Sequence, residues 1–139
     1  MYQTSTVANY IIQYAITNKL SLSNLKLQKV LYFVQAQFLV NKNKPCFNEQ
    51  IKAFSFGPVL ESVYNDYKFF GSNNINIIKN KSYQIIEYND QKLIDEIIEQ
   101  CNNYSNIDLL HIIYNQTPFK NAFKHKTAIS NEDLLNFFK

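Results

Sequence analysis

Tryptophan and arginine are absent from this 139-residue chain, and glycine, histidine and cysteine occur only twice each. Each scarcity removes a class of function. Without arginine the side chain that most often reads guanine edges is missing. The net charge of +3 is carried entirely by lysine and is too small an excess to argue for nucleic acid. With glycine only at positions 57 and 71 there is no Gly-rich phosphate loop. His111 and His125, taken with Cys46 and Cys101, lack metal-ligand spacing, so no metal or other cofactor is expected. Two distant cysteines make no disulfide framework and fit a reducing cytoplasm. No apolar run reaches the roughly 18 residues that a membrane helix needs. No charged n-region followed by an apolar h-region opens the chain. A soluble, cytoplasmic protein with no membrane partner is the expectation.

Aromatic residues are what the chain has in quantity: eleven Phe and ten Tyr, within a composition that is 46% hydrophobic. That is enough for one domain, residues 1–139, with a true core in which aromatic burial supplies much of the stability. There is no repeat, linker or low-complexity block to divide it.

Residues 23–40, SNLKLQKVLYFVQAQFLV, read as the helix around which the rest is packed. Ser23 is placed to cap the first free N–H groups, and no glycine or proline follows. At about 100° per residue, Leu27, Val30, Leu31, Val34 and Phe38 form one broad apolar face, and Leu25, Tyr32 and Leu39 a second. Between them Asn24, Gln28 and Gln35 fall within about 40° of one another. Buried amides need partners, so these either bond neighbouring loop backbone and set register or line a groove for a partner. On the opposite side Lys26, Lys29 and Gln37 surround Phe33 where solvent is expected. A later helix or the C-terminal segment covers Phe33, or it is an interaction site.

Around this helix, residues 5–18 carry Val7, Ala8, Ile11, Ile12, Ala15 and Ile16 at helical spacing. Residues 51–55 alternate as a short strand, Gly57 permits a turn, and Pro58 is placed to open a third helix that Gly71 ends. Residues 72–89 hold short β-branched runs that suit a hairpin or pairing with residues 51–55. A fourth helix over residues 90–102 turns Leu93, Ile94, Ile97, Ile98 and Cys101 inward. Its Asp95, Glu96 and Glu99 form a solvated face rather than a paired-acid site. Ser105 with Asp108 resembles a capping box, Thr117–Pro118 starts a short helix, and Ser130 with Asp133 starts the last one. The fold class is therefore mainly α, a compact helical domain around a central buried helix with a small β patch of two or three short strands.

These residues also resemble a known family. Val7-Ala8-Asn9-Tyr10 is followed by Ser23-Asn24-Leu25-Lys26-Leu27-Gln28-Lys29, with Leu31-Tyr32-Phe33 and Gln35. Then come Ile51-Lys52-Ala53, Phe56-Gly57-Pro58-Val59, Val63-Tyr64 and Phe70-Gly71. In this order and spacing they are similar to the Panacea domain, the SocA-like or GepA-like phage-associated family. Pro118-Phe119-Lys120-Asn121-Ala122 resembles that family's Pro-Trp-x-x-Ala element with Phe where Trp is usual, which removes an indole N–H. The resemblance implies a helical, non-enzymatic antitoxin that binds a cognate toxin protein directly. Some members act as proteolytic adaptors, which brings in a protease or chaperone as a further partner.

Two readings follow. The first is a protein-binding module that grips its toxin through Lys26, Lys29, Phe33 and Gln37, or through a groove floored by Asn24, Gln28 and Gln35. The alternative is a DNA-binding transcriptional regulator using the first two helices as a helix-turn-helix. That rival is weakened because a recognition helix exposes its N-terminal face, whereas this one turns apolar at once. Hydrolase activity has no residue constellation behind it.

Overall fold

The computed structural model describes residues 1–139. The fold has seven helices and one small three-stranded sheet. In chain order they are α1 (Thr4–Thr17), α2 (Asn24–Lys42), β1 (Ile51–Phe54), β2 (Gly57–Val59), α3 (Glu61–Tyr67), α4 (Tyr88–Asn102), α5 (Asn106–Tyr114), α6 (Thr117–His125), β3 (Ala128–Ile129) and α7 (Asn131–Phe138). The mainly helical class and the small β patch agree with the sequence reading, and so does the central position of α2. It packs against α1, α3, α4, α5, α7 and β2, and Leu27, Leu31, Tyr32, Val34 and Ala36 are wholly inaccessible. Burying side chains of this size is worth about 1.5–3 kcal/mol each, which makes α2 the main structural member.

Local signals set the helix ends. The Ser23 side chain accepts from the Lys26 N–H and opens α2, and Asn43 in the left-handed conformation closes it. Ser105 and Asp108 form a complete capping box on α5. Ser130 accepts from the Asp133 N–H at the start of α7, and Pro118 occupies the first turn of α6.

Three expectations are corrected. Pro58 does not start a helix: residues Gly57–Val59 form β2, and α3 begins at Glu61. In the strand order β2-β1-β3, β2 is an edge strand, where proline's missing N–H is tolerated. Residues 72–89 contribute no strand. Their side chains bond α1 instead, with Gln84 Oε1 accepting from the Gln3 N–H and the Thr6 hydroxyl. The third strand is Ala128–Ile129, whose Ile129 pairs with Ile51. Gly71 does close the segment after α3, at φ 58° behind a 3₁₀ turn.

Between α1 and α4 the tyrosines that flank the apolar stripe of α1 donate to carboxylates. Tyr2 donates to Asp90 at 2.6 Å, Tyr10 to Asp95 at 2.6 Å and Tyr14 to Glu99 at 2.5 Å. Asp95 and Glu99 thus link α4 to α1, while Glu96 and Glu99 stay solvent-exposed, as the solvated-face reading expects. Burial, and after it the bonds to Asp90 and Asp95, raises the phenol pKa of Tyr2, to about 12, and of Tyr10, while the Glu99 bond chiefly raises that of Tyr14, to about 12.

Candidate partner-binding site

The buried polar side chains of α2 are consumed by the fold. Asn24 donates to Tyr64 O at 3.0 Å, and Gln28 donates to Asn24 Oδ1 at 3.0 Å while accepting from the Leu60 N–H at 2.8 Å. Gln35 donates to Phe47 O at 2.8 Å and accepts from the Cys46 N–H at 2.8 Å. All three amides are buried. Gln28 and Gln35 bond backbone at Leu60, Cys46 and Phe47, Asn24 bonds the backbone of α3, and Gln35 also lines a cavity of about 340 Å³ with Glu49, Gln50 and Ile129.

The lysines depart from expectation. Lys26 and Lys29 were placed on the solvent side of α2, yet both are buried, Lys29 completely. Lys26 Nζ donates to Tyr104 O at 2.8 Å and fastens the α4–α5 connection, and burial pulls its pKa down. Lys29 Nζ donates to Phe56 O at 3.1 Å and Leu25 O at 3.3 Å. Burial lowers its pKa to about 8. Gln28 and Lys29 therefore hold the two ends of the segment Phe56-Gly57-Pro58-Val59-Leu60 against α2. Gly57 is required there: it adopts φ 117°, and a Cβ at that position would lie 3.2 Å from Lys29 Cε and Nζ. Two of the sequence blocks that carry the family resemblance, residues 23–29 and 56–59, are thus one physical joint. A second joint comes from Tyr32, whose hydroxyl donates to Gln116 Oε1 at 2.7 Å just before α6.

Phe33 is half-buried. The C-terminal helix covers one side of it, with the Phe138 ring 6.1 Å away edge-on and Tyr32 at 5.2 Å. Its other side, with Gln37, opens onto a groove of about 200 Å³ between α2, α4 and α5. Ile97, Tyr104, Leu109 and Ile112 line that groove, and Gln37 and Gln100 supply its polar rim. Of the seven residues singled out in the sequence, the structure brings only Phe33 and Gln37 to this opening. Tyr104 and Ile112 were missed, although both are exposed, at 45% and 37%. Ile112 lies off the buried face of α5 defined by Leu109 and Ile113, and that offset was the available signal. Cys101 also reaches the groove, but burial pushes its thiol up to about 12, which makes it a poor nucleophile at neutral pH. No group of His, Cys, Asp or Glu is arranged to hold a metal ion, and no helix is long and apolar enough to cross a membrane.

Fold and site define a helical scaffold whose buried polar chemistry serves its own joints and whose open groove is apolar. A family model described as "Antitoxin SocA-like, Panacea domain" matches residues 27–120. The chain belongs to that SocA-like family. It is also similar to Antitoxin SocA of Caulobacter vibrioides, with 42% identity over 65 residues, covering 47% of this chain and 35% of the relative. The match thus spans about a third of that relative's length. No solved structure matches the chain.

Proposed function

We propose that this chain is an antitoxin-type binding module that neutralises a cognate toxin by direct contact, with the toxin seated in the groove between α2, α4 and α5. The observation that supports it is the groove itself. In a chain of an antitoxin family it is a concave apolar opening, with an aromatic floor in Phe33, exposed Tyr104 and Ile112, and a glutamine rim. A central apolar cluster inside a polar rim is the usual anatomy of a protein-binding hot spot. The module has no catalytic role. Its finer action is to occlude the toxin, and the same grip serves when the complex is handed to a protease.

DNA binding through α1 and α2 is disfavoured by the burial of Asn24, Lys26, Leu27 and Gln28. The first turn of α2 has no free face to enter a groove.

Co-expression of the chain with the product of the neighbouring gene tests the proposal. The neighbour alone should arrest growth and the chain should relieve it, with the two proteins co-purifying in high as well as low salt. The variant Ile112→Glu with Tyr104→Glu should keep its melting temperature and lose rescue, since charging two hot-spot positions weakens binding by about 30-fold or more. Undiminished rescue by that variant excludes the groove. A complex that dissociates steeply with salt and requires DNA returns the regulator reading.

A further inference from the structure

Residues 81–87, Lys-Ser-Tyr-Gln-Ile-Ile-Glu, run past α1 in neither helix nor strand. Their contacts alternate with a period of two, the signature of extended chain. Ser82 and Gln84 bond the Thr6 side chain, and Ile86 is buried in the core. Between them Tyr83 and Ile85 point outward, 94% and 84% exposed. The N–H and C=O groups of Tyr83 and Ile85 take part in no hydrogen bond within the chain. Lys81 and Glu87, at the two ends, have no ion-pair partner either, because the chain's ion pairs are Lys42–Asp90 and Lys52–Glu61. This extended segment therefore presents unpaired N–H and C=O groups, a template with which another strand can pair.

The segment is complementary to itself. An antiparallel pairing centred on Gln84 sets Tyr83 opposite Ile85 of a second copy and Lys81 opposite its Glu87. The two-fold axis repeats each pair. Tyr opposite Ile is an aromatic–β-branched pair and Lys opposite Glu an attractive one, the kinds of cross-strand neighbours that stabilise antiparallel ribbons. The free N–H and C=O groups of Tyr83 and Ile85 supply the ladder bonds at the centre. Glu87 N–H, already donated to the Tyr2 hydroxyl at 3.0 Å, lies outside that central quartet. A shift of register by one residue would set the buried Ile86 face outward and is excluded by the core.

From this juxtaposition we propose that the chain forms a two-fold symmetric homodimer by antiparallel pairing of residues 81–87, with an isologous contact. It uses none of the residues that line the α2–α4–α5 groove.

Sedimentation velocity over a wide concentration range, on the chain alone, tests the dimer. Wild type should show a reversible monomer–dimer equilibrium. Glu87→Lys and Lys81→Glu should each raise the dissociation constant by at least about tenfold, because like charges then face each other. Mixing the two variants should restore association through opposite charges, and the double variant Lys81→Glu/Glu87→Lys should do the same alone. Restoration by mixing also shows that each variant is folded. A wild type that stays monomeric throughout overturns the proposal. So does a dimer that both single variants leave intact, or one that mixing fails to restore.

Discussion

Replacing Lys29 by methionine should stabilise the protein at neutral pH and cease to do so in alkali. The Lys29 amine is wholly buried, and its hydrogen-bond acceptors are two backbone carbonyls rather than a carboxylate. Burial lowers its pKa from 10.5 to about 8. The unfolded chain therefore holds the proton up to its ordinary value, while the folded chain releases it earlier. Between pH 8 and 10.5 the unfolded state binds more protons, so this group makes stability rise with pH across that window. At pH 7 its charge costs the fold about 3 kcal/mol, and at pH 10 about 1 kcal/mol. Methionine removes the charge at similar length but leaves Phe56 O without its donor, a loss of about 1–2 kcal/mol. Lys29→Met should then be more stable than wild type by about 1–2 kcal/mol at pH 7 and no more stable at pH 10.

Urea unfolding of both proteins at the two pH values, followed by circular dichroism, measures the difference directly. Cys46, Cys101 and the raised tyrosines also titrate in this range, but they do so in both proteins and cancel. A gap between variant and wild type that is the same at pH 7 and pH 10 would refute the reasoning. It would mean that the Lys29 amine keeps its ordinary pKa in the folded protein, as it would if the Phe56 loop opens to hydrate it.

Gln28→Leu should cost about 2–4 kcal/mol, because it strands the buried Leu60 N–H and the Asn24 carbonyl oxygen together, and the loss is read from the urea midpoint. Gly57→Ala should cost about 1–3 kcal/mol from its left-handed backbone and the crowded lysine, and pairing it with Lys29→Met should recover part of this. Both thiols are buried with raised pKa values, so a disulfide-exchange reagent should label Cys46 and Cys101 at the rate of opening rather than on mixing. With 32 residues in one buried cluster, the chain is proposed to unfold as one domain, which coincident far-UV and tyrosine-fluorescence transitions would bear out.

Features that depend on a few adjacent residues were legible in the sequence. The caps at Ser23, Ser105 and Ser130, the proline start of α6 and the apolar faces of α2 all came from spacing within one or two turns. What failed depended on residues far apart in the chain. A helical wheel sends lysine to solvent by default, yet Lys26 is met by Tyr104 O and Lys29 by Phe56 O. Pro58 followed by a helix-compatible run looks like a helix start, but pairing with β1 and the bonds from Gln28 and Lys29 at either end hold it as a strand. The third strand went unseen because two residues carry no periodicity. Phe33 was recognised as unusual, but its cover, Phe138, lies at the far end of the chain.

The same contrast bears on how this family's resemblance should be used. The residues that make the chain recognisable, Asn24, Lys26, Leu27, Gln28, Lys29 and the segment from Gly57 to Val59, are buried and bonded to one another or to backbone. In the proposed groove a partner arriving from solvent would meet Tyr104, Ile112 and Gln100, which lie outside those two blocks, together with Phe33. On the proposed function, partner choice rests mainly on residues other than those two blocks. Exchanging the solvent-facing residues of α4 and α5 with those of another family member should transfer toxin preference while leaving the urea midpoint nearly unchanged, since surface substitutions away from joints shift stability by about 0.5 kcal/mol or less. Exchanging residues 24–29 instead should change stability without moving preference. Toxin preference that follows residues 24–29 would place recognition inside the motif and remove the groove from consideration.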